Sequence, residues 1–318
     1  MIHSVSISVL VPVYRSSISL PQVVARTQTA LADVVHEIIL VEDASGDATW
    51  ETVQALVSQN PNVRGLRLGR NAGQHSALLA GVRAARFTVV VTLDDDLQNP
   101  PEEIPRLVEA LDQLQADVVY GVPVDAAHAG WRRGSGWLVR RSMKSVLGVS
   151  EVVNMSSFRA FRTELRDSFA VNLGPGVSLD ALLAWGSSRF ASVEVRHDAR
   201  RYGQSTYSLG KLFRFALDTL TGYTTVPLRI TTALGFATAA AGLLVMFVFV
   251  LIPFAKGISV QGFPFLASII ILFSGIQLVT LGVMGEYLGR MHFRIMNRPE
   301  YVVAEEVGPT QNDDEREY

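Results

Sequence analysis

Residues 87–101 read F-T-V-V-V-T-L-D-D-D-L-Q-N-P-P. The first seven have the nearly continuous apolar, β-branched composition of a strand buried on both faces of a parallel sheet. Asp94, Asp95 and Asp96 fall at the carboxyl end of that strand, where open α/β sheets bind ligands. Three adjacent carboxylates repel one another and need compensating cations in a dry site. In extended backbone Asp94 and Asp96 point to one side and Asp95 to the other. A hard divalent ion, Mg²⁺ or Mn²⁺, bridging the outer pair to diphosphate oxygens would satisfy both. A solvated acidic turn is the competing reading of such a triplet, and the rest of the chain tips the balance.

Outward from this stretch, strand and helix patterns alternate. Residues 5–11 read as a strand and 18–31 as a helix with Pro21 in its first turn. Residues 37–41 form a second strand, and a helix at 49–58 follows, capped by Ser45 or Asp47 and stopped by Pro61. A third strand is predicted at 63–68 and a helix at about 74–85. After the acids come a helix at 101–114 and a strand at 117–120. This order predicts an α/β fold with a doubly wound, mostly parallel sheet and helices on both faces. The ends of three strands, Pro12-Val-Tyr14, Glu42-Asp43-Ala-Ser45 and the aspartates, then share one rim. No G-x-G-x-x-G follows the first strand and no Walker A sequence occurs, which disfavours dinucleotide dehydrogenases and P-loop enzymes.

The chain has 318 residues, a net charge of −2 and no cysteine. A nucleic-acid binder normally carries a strongly basic face, so none is expected as a partner. Disulfides, thiolate nucleophiles and Cys-ligated zinc are excluded. Residues 5–11 are too short for a signal peptide and run into Pro12, so the N-terminal part is expected in the cytoplasm. His36, His75 and His197 are scattered and give no metal-ligand spacing.

Composition changes after Arg229. Residues 230–255 and 257–285 carry no charge, with Lys256 alone between them. Each stretch, if helical, is roughly 40 Å long, enough to cross a ~30 Å hydrocarbon core. Two membrane spans are expected at about 230–254 and 262–286. Arg229 precedes them and Arg290, Arg294 and Arg298 follow. The positive-inside rule therefore places both outer ends in the cytoplasm and the protein in the cell membrane. The expected layout is a catalytic domain at 1–207, a juxtamembrane amphipathic helix at 208–228, the two transmembrane helices within 229–288, and a cytoplasmic C-terminal segment at 289–318. The polar, acidic tail after Val307 is expected to be disordered.

Residues 131–144 combine Arg132, Arg133, Arg140, Arg141 and Lys144 with Trp131 and Trp137. Basic groups beside interfacial aromatics suit an anionic lipid headgroup; a solvated basic helix face is the alternative. Asp180 could approach a donor sugar or cap a helix.

In combination, several segments resemble family-2 glycosyltransferases of the GT-A fold. They are V-P-V-Y at 11–14, E-D-A-S at 42–45, R-N-A-G-Q-H-S-A-L-L-A-G at 70–81 and L-D-D-D-L-Q-N-P-P-E-E-I-P at 93–105. S-F-R-A-F-R at 157–162, R-R-Y-G-Q-S-T-Y-S at 200–208 and G-E-Y-L-G-R at 285–290 complete the set. More narrowly, the chain is similar to the polyprenyl-phosphate glycosyltransferases, which include dolichol-phosphate mannose synthases, bactoprenol glucosyltransferases and aminoarabinose (formamido-arabinose) transferases. The resemblance implies transfer of a sugar from a nucleotide-diphosphate donor to polyprenyl (undecaprenyl) phosphate, with inversion. Asp94 and Asp96 then match the metal-holding D-x-D pair and Gln98 the glutamine beside it. Pro12, Tyr14 and Asp43 match the rim around base and ribose, where Glu42 replaces the usual first aspartate. Arg200 is expected on donor phosphate, with Ser205 nearby, and Arg132, Arg133, Arg140 and Arg141 are candidates for the acceptor phosphate. Family precedent implies a homo-oligomer, a tetramer being one form it could take.

The chain also departs from the pattern. Arg15-Ser-Ser17 stands where the family has N-E-E, Thr206 stands in place of a loop lysine, and Asn154 is the nearest stand-in for an aspartate. A processive synthase is disfavoured because no Q-x-x-R-W occurs. A non-catalytic, two-span scaffold or lipid-binding partner with a degenerate transferase domain is the alternative from a different class.

Overall fold

The computed structural model describes residues 5–123, 156–169, 178–198, 226–248, 252–256, 262–295 and 299–309. The chain divides into two compact units, one of residues 1–206 with 297–318 and the other of residues 207–296.

The first unit alternates β1 (Ile7–Val13), α1 (Leu20–Ala30), β2 (His36–Glu42), α2 (Thr49–Gln59), β3 (Val63–Leu68), α3 (Gln74–Ala84) and β4 (Val89–Thr92). A 3₁₀ turn (Pro101–Glu103) leads into α4 (Ile104–Gln113), followed by β5 (Val118–Pro123) and β6 (Arg159–Arg162). A second 3₁₀ segment (Thr163–Phe169), α5 (Leu179–Gly186) and β7 (Phe190–Val195) come next, and β8 (Val303–Val307) returns after the second unit. The strands form one sheet in the order β7-β5-β6-β4-β1-β2-β3-β8. Its centre, β4-β1-β2-β3, is parallel as expected. Antiparallel pairing enters where β6 lies between β4 and β5 and where β8 covers the β3 edge.

Alternation along the central strands sorts their side chains into two cores. Val9, Val11, Ile38, Leu40, Val89 and Val91 face the layer that α1, α2 and α4 complete. Leu10, Ile39, Val41 and Val90 face the layer of α3 and α5. Strands buried on both faces need apolar residues at every position, which is why 87–93 reads as a continuous run. The helices instead bury one stripe. In α1 it is Leu20, Val23, Val24 and Thr27, and in α4 it is Ile104, Leu107, Val108 and Leu111, each at the i, i+3, i+4, i+7 spacing.

Local details differ from expectation at α2. Ala48 is the N-cap residue. Asp47 accepts the Thr49 N–H at 3.1 Å, whereas Ser45 turns away to accept the Arg15 N–H at 3.0 Å. Strand β8 lies in the expected C-terminal segment, for which no strand is predicted, just before the polar tail. It joins β3 antiparallel and removes an open sheet edge.

The second unit contains α6 (Val226–Met246), a single turn α7 (Ile252–Ala255) and α8 (Phe263–Ile295). The Phe273 ring of α8 packs against α6 at Gly242, where a Cβ would stand 2.7 Å from it. Among the described residues no helix is long and apolar enough to cross a membrane, so the two expected spans are not confirmed. The expected amphipathic helix at 208–228 falls on 208–225 outside the described residues, as does the tail beyond 309.

Candidate active site

Three strands of the parallel centre, β1, β2 and β4, end at one rim, and the backbone at each exit is strained. Arg15, Ala44 and Leu97 have φ of 55°, 49° and 59°. Left-handed backbone at residues other than glycine costs about 1 kcal/mol or more each and collects at functional sites. Each residue turns the chain sharply just past its strand, keeping the following polar groups at the rim.

At the β1 exit Pro12 is buried inside the strand rather than open at the rim. It lies two residues past Leu10, whose carbonyl accepts the Leu93 N–H at 2.9 Å, and so on the side where β4 has already ended. The missing N–H therefore breaks no ladder. Tyr14 is the first accessible group, 45% exposed, with the Arg15 guanidinium 5.3 Å above its ring.

At the β2 exit both acids are buried and bind main chain. Glu42 Oε1 accepts the Ser45 N–H. The two Asp43 oxygens accept the N–H groups of Ala72 and Gly73 at 2.7 and 2.8 Å. Gly73, at φ +89°, supplies a conformation that aims both groups at one carboxylate. Burial raises the Asp43 pKa above the usual carboxylate value, and these two bonds oppose the rise. Asp43 thereby fixes the loop that starts α3.

The first α3 residue, Gln74, donates its amide to Asp94 Oδ1 at 2.9 Å, and the Ser157 hydroxyl donates to Asp94 Oδ2. Asp96 Oδ1 accepts the Gln98 main-chain N–H at 3.1 Å, so the contact of Gln98 with the aspartates runs through its backbone. Asp95 diverges from its neighbours as strand alternation requires, but not toward solvent. It accepts the Ser16 hydroxyl, and the Tyr14 N–H also hydrogen-bonds to it. Burial, with Asp94 and Asp96 adding to it, lifts its pKa to about 6 against the pull of Ser16.

A buried network behind Asp94 carries a residue given no role above. Arg159, 2% exposed, donates from Nε to Thr92 Oγ1 at 3.1 Å and pairs with Asp180, which also accepts the Tyr120 hydroxyl at 2.9 Å. Thr92 in turn donates to the carbonyl of Ser157, whose hydroxyl holds Asp94. Burial opposes charge on Arg159, yet its pKa is raised because Asp180, Tyr120 and Asp94 together outweigh that cost. The signal is present in the sequence, since an arginine between Phe158 and Ala160 in a strand must find a partner. Asp180 is no cap; Ser178 caps α5 by accepting the Ala181 N–H at 3.3 Å. His197 Nδ1 meets Asn99 Oδ1 at 3.2 Å, and the Asp198 N–H donates to the Gln98 carbonyl at 2.8 Å. The chain leading to Arg200 is thus pinned to the aspartate turn. Arg200, Ser205, Arg132, Arg133, Arg140, Arg141 and Asn154 lie outside the described residues.

The outer aspartates fit a divalent cation. Both are hard oxygen donors, and Gln74, Ser157 and the Gln98 N–H orient them without neutralising them. Among the described residues no group of three or more His, Asp or Glu gathers as a metal site.

The sheet and its helices together define an α/β protein of GT-A-like architecture. Residues 8–169 match the model of glycosyl transferase family 2, and the chain belongs to that family. It is 35% identical over 309 residues to the undecaprenyl-phosphate 4-deoxy-4-formamido-L-arabinose transferase of Pseudomonas aeruginosa, covering 96% of this chain and 91% of that one. The Pseudomonas fluorescens protein of the same name is 36% identical over 307 residues, with 95% and 89% covered. Among solved structures, glucosyl-3-phosphoglycerate synthase from Mycobacterium tuberculosis shares the fold. Its complex with Mn²⁺, UDP and phosphoglyceric acid has a TM-score of 0.52 at 21% identity, covering 68% of this chain and 76% of that one. Its complex with Mg²⁺ and UDP gives 0.50 at 21% identity, covering 68% and 77%.

Proposed function

We propose that this protein is a membrane glycosyltransferase that moves a sugar from a nucleotide-diphosphate donor to polyprenyl phosphate, undecaprenyl phosphate in particular, for cell-envelope glycan or glycolipid synthesis. The observation that carries the reading is the aspartate turn: Asp94 and Asp96, oriented by neutral donors, at the carboxyl end of a central strand. Similarity along nearly the whole chain to transferases named for undecaprenyl phosphate supports the acceptor.

Asp94 and Asp96 would hold Mg²⁺ or Mn²⁺ with donor phosphate oxygens and water as the remaining ligands, and the ion would supply Lewis-acid stabilisation to the departing diphosphate. Tyr14 presents the accessible ring of the nucleotide rim, while Glu42 and Asp43 hold the two loops that shape it. Arg200, two residues past the pinned Asp198 in sequence, would supply a guanidinium for donor phosphate, and Ser205 is a further candidate there. The acceptor is a phosphate monoester with a second pKa of about 6, already largely a dianion at neutral pH. It attacks the anomeric carbon in line, the bond to the nucleotide diphosphate breaks, and configuration inverts. No strong base is demanded, so Asn154 in place of an acid is compatible with turnover.

Membrane residence rests on the uncharged stretches 230–255 and 257–285 and on outward apolar side chains. Ile230, Phe236 and Leu244 of α6 and Leu278, Leu281 and Leu288 of α8 are exposed, Phe236 by 75%. The small residue Gly242 under Phe273 is the kind of contact that lets helices approach in lipid. Arg132, Arg133, Arg140 and Arg141 would meet the lipid phosphate at the cytoplasmic face, and the assembly is a homo-oligomer.

The test is nucleotide release by the full-length protein with undecaprenyl phosphate, Mg²⁺ or Mn²⁺ and a panel of nucleotide sugars. Acceptor-dependent release with one donor supports the reading. Silence with every donor, in protein that is folded, favours the scaffold.

A further inference from the structure

One rung of the sheet runs along the carboxyl edge from the rim to the C-terminal strand. Val13 pairs with Glu42, Glu42 with Arg67, and Arg67 with Glu305. Directly paired residues share a face, so the rung is an acid, a base and an acid side by side. Arg67 Nε lies 3.5 Å from Glu42 Oε2 and its terminal nitrogen 3.9 Å from Glu305 Oε2. The guanidinium stacks over Trp50 at 5.7 Å. Glu305 is held in turn by the Trp50 indole N–H and the Gln54 amide, both at 3.1 Å.

Glu42 is 1% exposed, and its Oε2 accepts no hydrogen bond among the described residues. Such an oxygen is costly to bury, and Arg67 is the cation beside it. The Arg67 side chain is 40% exposed and can swing into water unless something aims it. Glu305 and Trp50 do so. From Glu42 the path continues through the Ser45 N–H, and from Ser45 Oγ to the Arg15 N–H and the guanidinium over Tyr14.

We propose that Glu305, acting through Arg67, is a positioning residue for Glu42, so that the strand following the apolar helices completes the donor rim. Its consequence for catalysis rests on the proposed role of the loop that Glu42 holds in shaping the nucleotide rim. Donor affinity then depends on a residue at the far end of the chain.

The experiment uses full-length protein in detergent with UDP, GDP and CDP and Mn²⁺, measured by calorimetry, and amide hydrogen exchange over residues 42–49. Glu305→Gln should weaken nucleotide binding roughly three- to fivefold and raise donor KM while leaving kcat and thermal midpoint unchanged. It should also speed exchange of the Ser45 amide, and Glu305→Asp should restore part of the protection. In an Arg67→Gln background Glu305→Gln should add nothing. Unchanged exchange at Ser45 in E305Q, or an equal loss of affinity with Arg67 already removed, overturns the proposal. If the wild type binds no nucleoside diphosphate the donor reading fails, and the exchange measurement still decides whether Glu305 positions Glu42.

Discussion

The hydroxyl of Ser16 donates to the carboxylate of Asp95, tying the β1 exit to the aspartate turn. The Ser16 N–H donates to Thr49 Oγ1 at 3.2 Å and its hydroxyl lies 3.0 Å from the Tyr14 carbonyl. The β1 exit and the aspartate turn are therefore one mechanical piece. Ser16→Ala should raise donor KM and metal requirement together, by about three- to tenfold for one charge-assisted hydrogen bond. Ser16→Thr should recover most of the loss. Steady-state kinetics across a Mn²⁺ series is the check.

Asp43 accepts two main-chain N–H groups, which a carboxamide cannot do, because its NH₂ would face a donor. Asp43→Asn should destabilise the protein by about 1–3 kcal/mol and loosen the α3 loop that presents Gln74 to Asp94. Thermal unfolding, together with exchange protection at Ala72 and Gly73, tests it.

Gly73 has open space where a Cβ would stand, but its φ is +89°. Gly73→Ala should therefore cost about 1–3 kcal/mol through backbone strain alone. A neutral alanine here would contradict the account of the loop.

Arg159→Met leaves Asp180, half-buried beside Tyr120, without its cation. A loss of about 3–5 kcal/mol is expected, and the double change with Asp180→Leu should be milder than the single one. The comparison of apparent unfolding midpoints decides it.

Asp117 ties the start of β5 to Arg189 just before β7. Burial opposes its charge, yet hydrogen bonds from Arg189 and Ser187 prevail and lower its pKa. A carboxylate with a depressed folded pKa contributes stability above its unfolded pKa and loses it as pH falls through the folded one. Asp117→Asn should thus unfold at lower temperature than wild type at pH 7, and the gap should close in acid below about pH 4.

The parallel centre was legible because its strands are buried on both faces and say so locally; 63–68 coincides with β3. The antiparallel strands were not. Arg159–Arg162 has arginines at both ends, and Val303–Val307 carries two glutamates, so neither looks apolar enough to be a strand. Both are held by distant partners, Asp180 and Thr92 for Arg159, Arg64 and Trp50 for Glu306 and Glu305. That the aspartates follow a central strand, and that three strand ends share one rim, could be read from the sequence pattern. That Asp43 and Asp95 serve as fasteners could not, because their partners at Ala72, Gly73 and Ser16 are fixed only by folding.

The central claim is that Asp94 and Asp96 together hold the cation on which sugar transfer depends. Glycolipid formation by the Asp94→Asn, Asp96→Asn double variant, compared with wild type at matched folding and saturating Mn²⁺, tests it most directly. A fall of at least about a thousandfold, with loss of Mn²⁺-dependent nucleotide binding, is expected. Synthesis at the wild-type rate by the well-folded variant would contradict it.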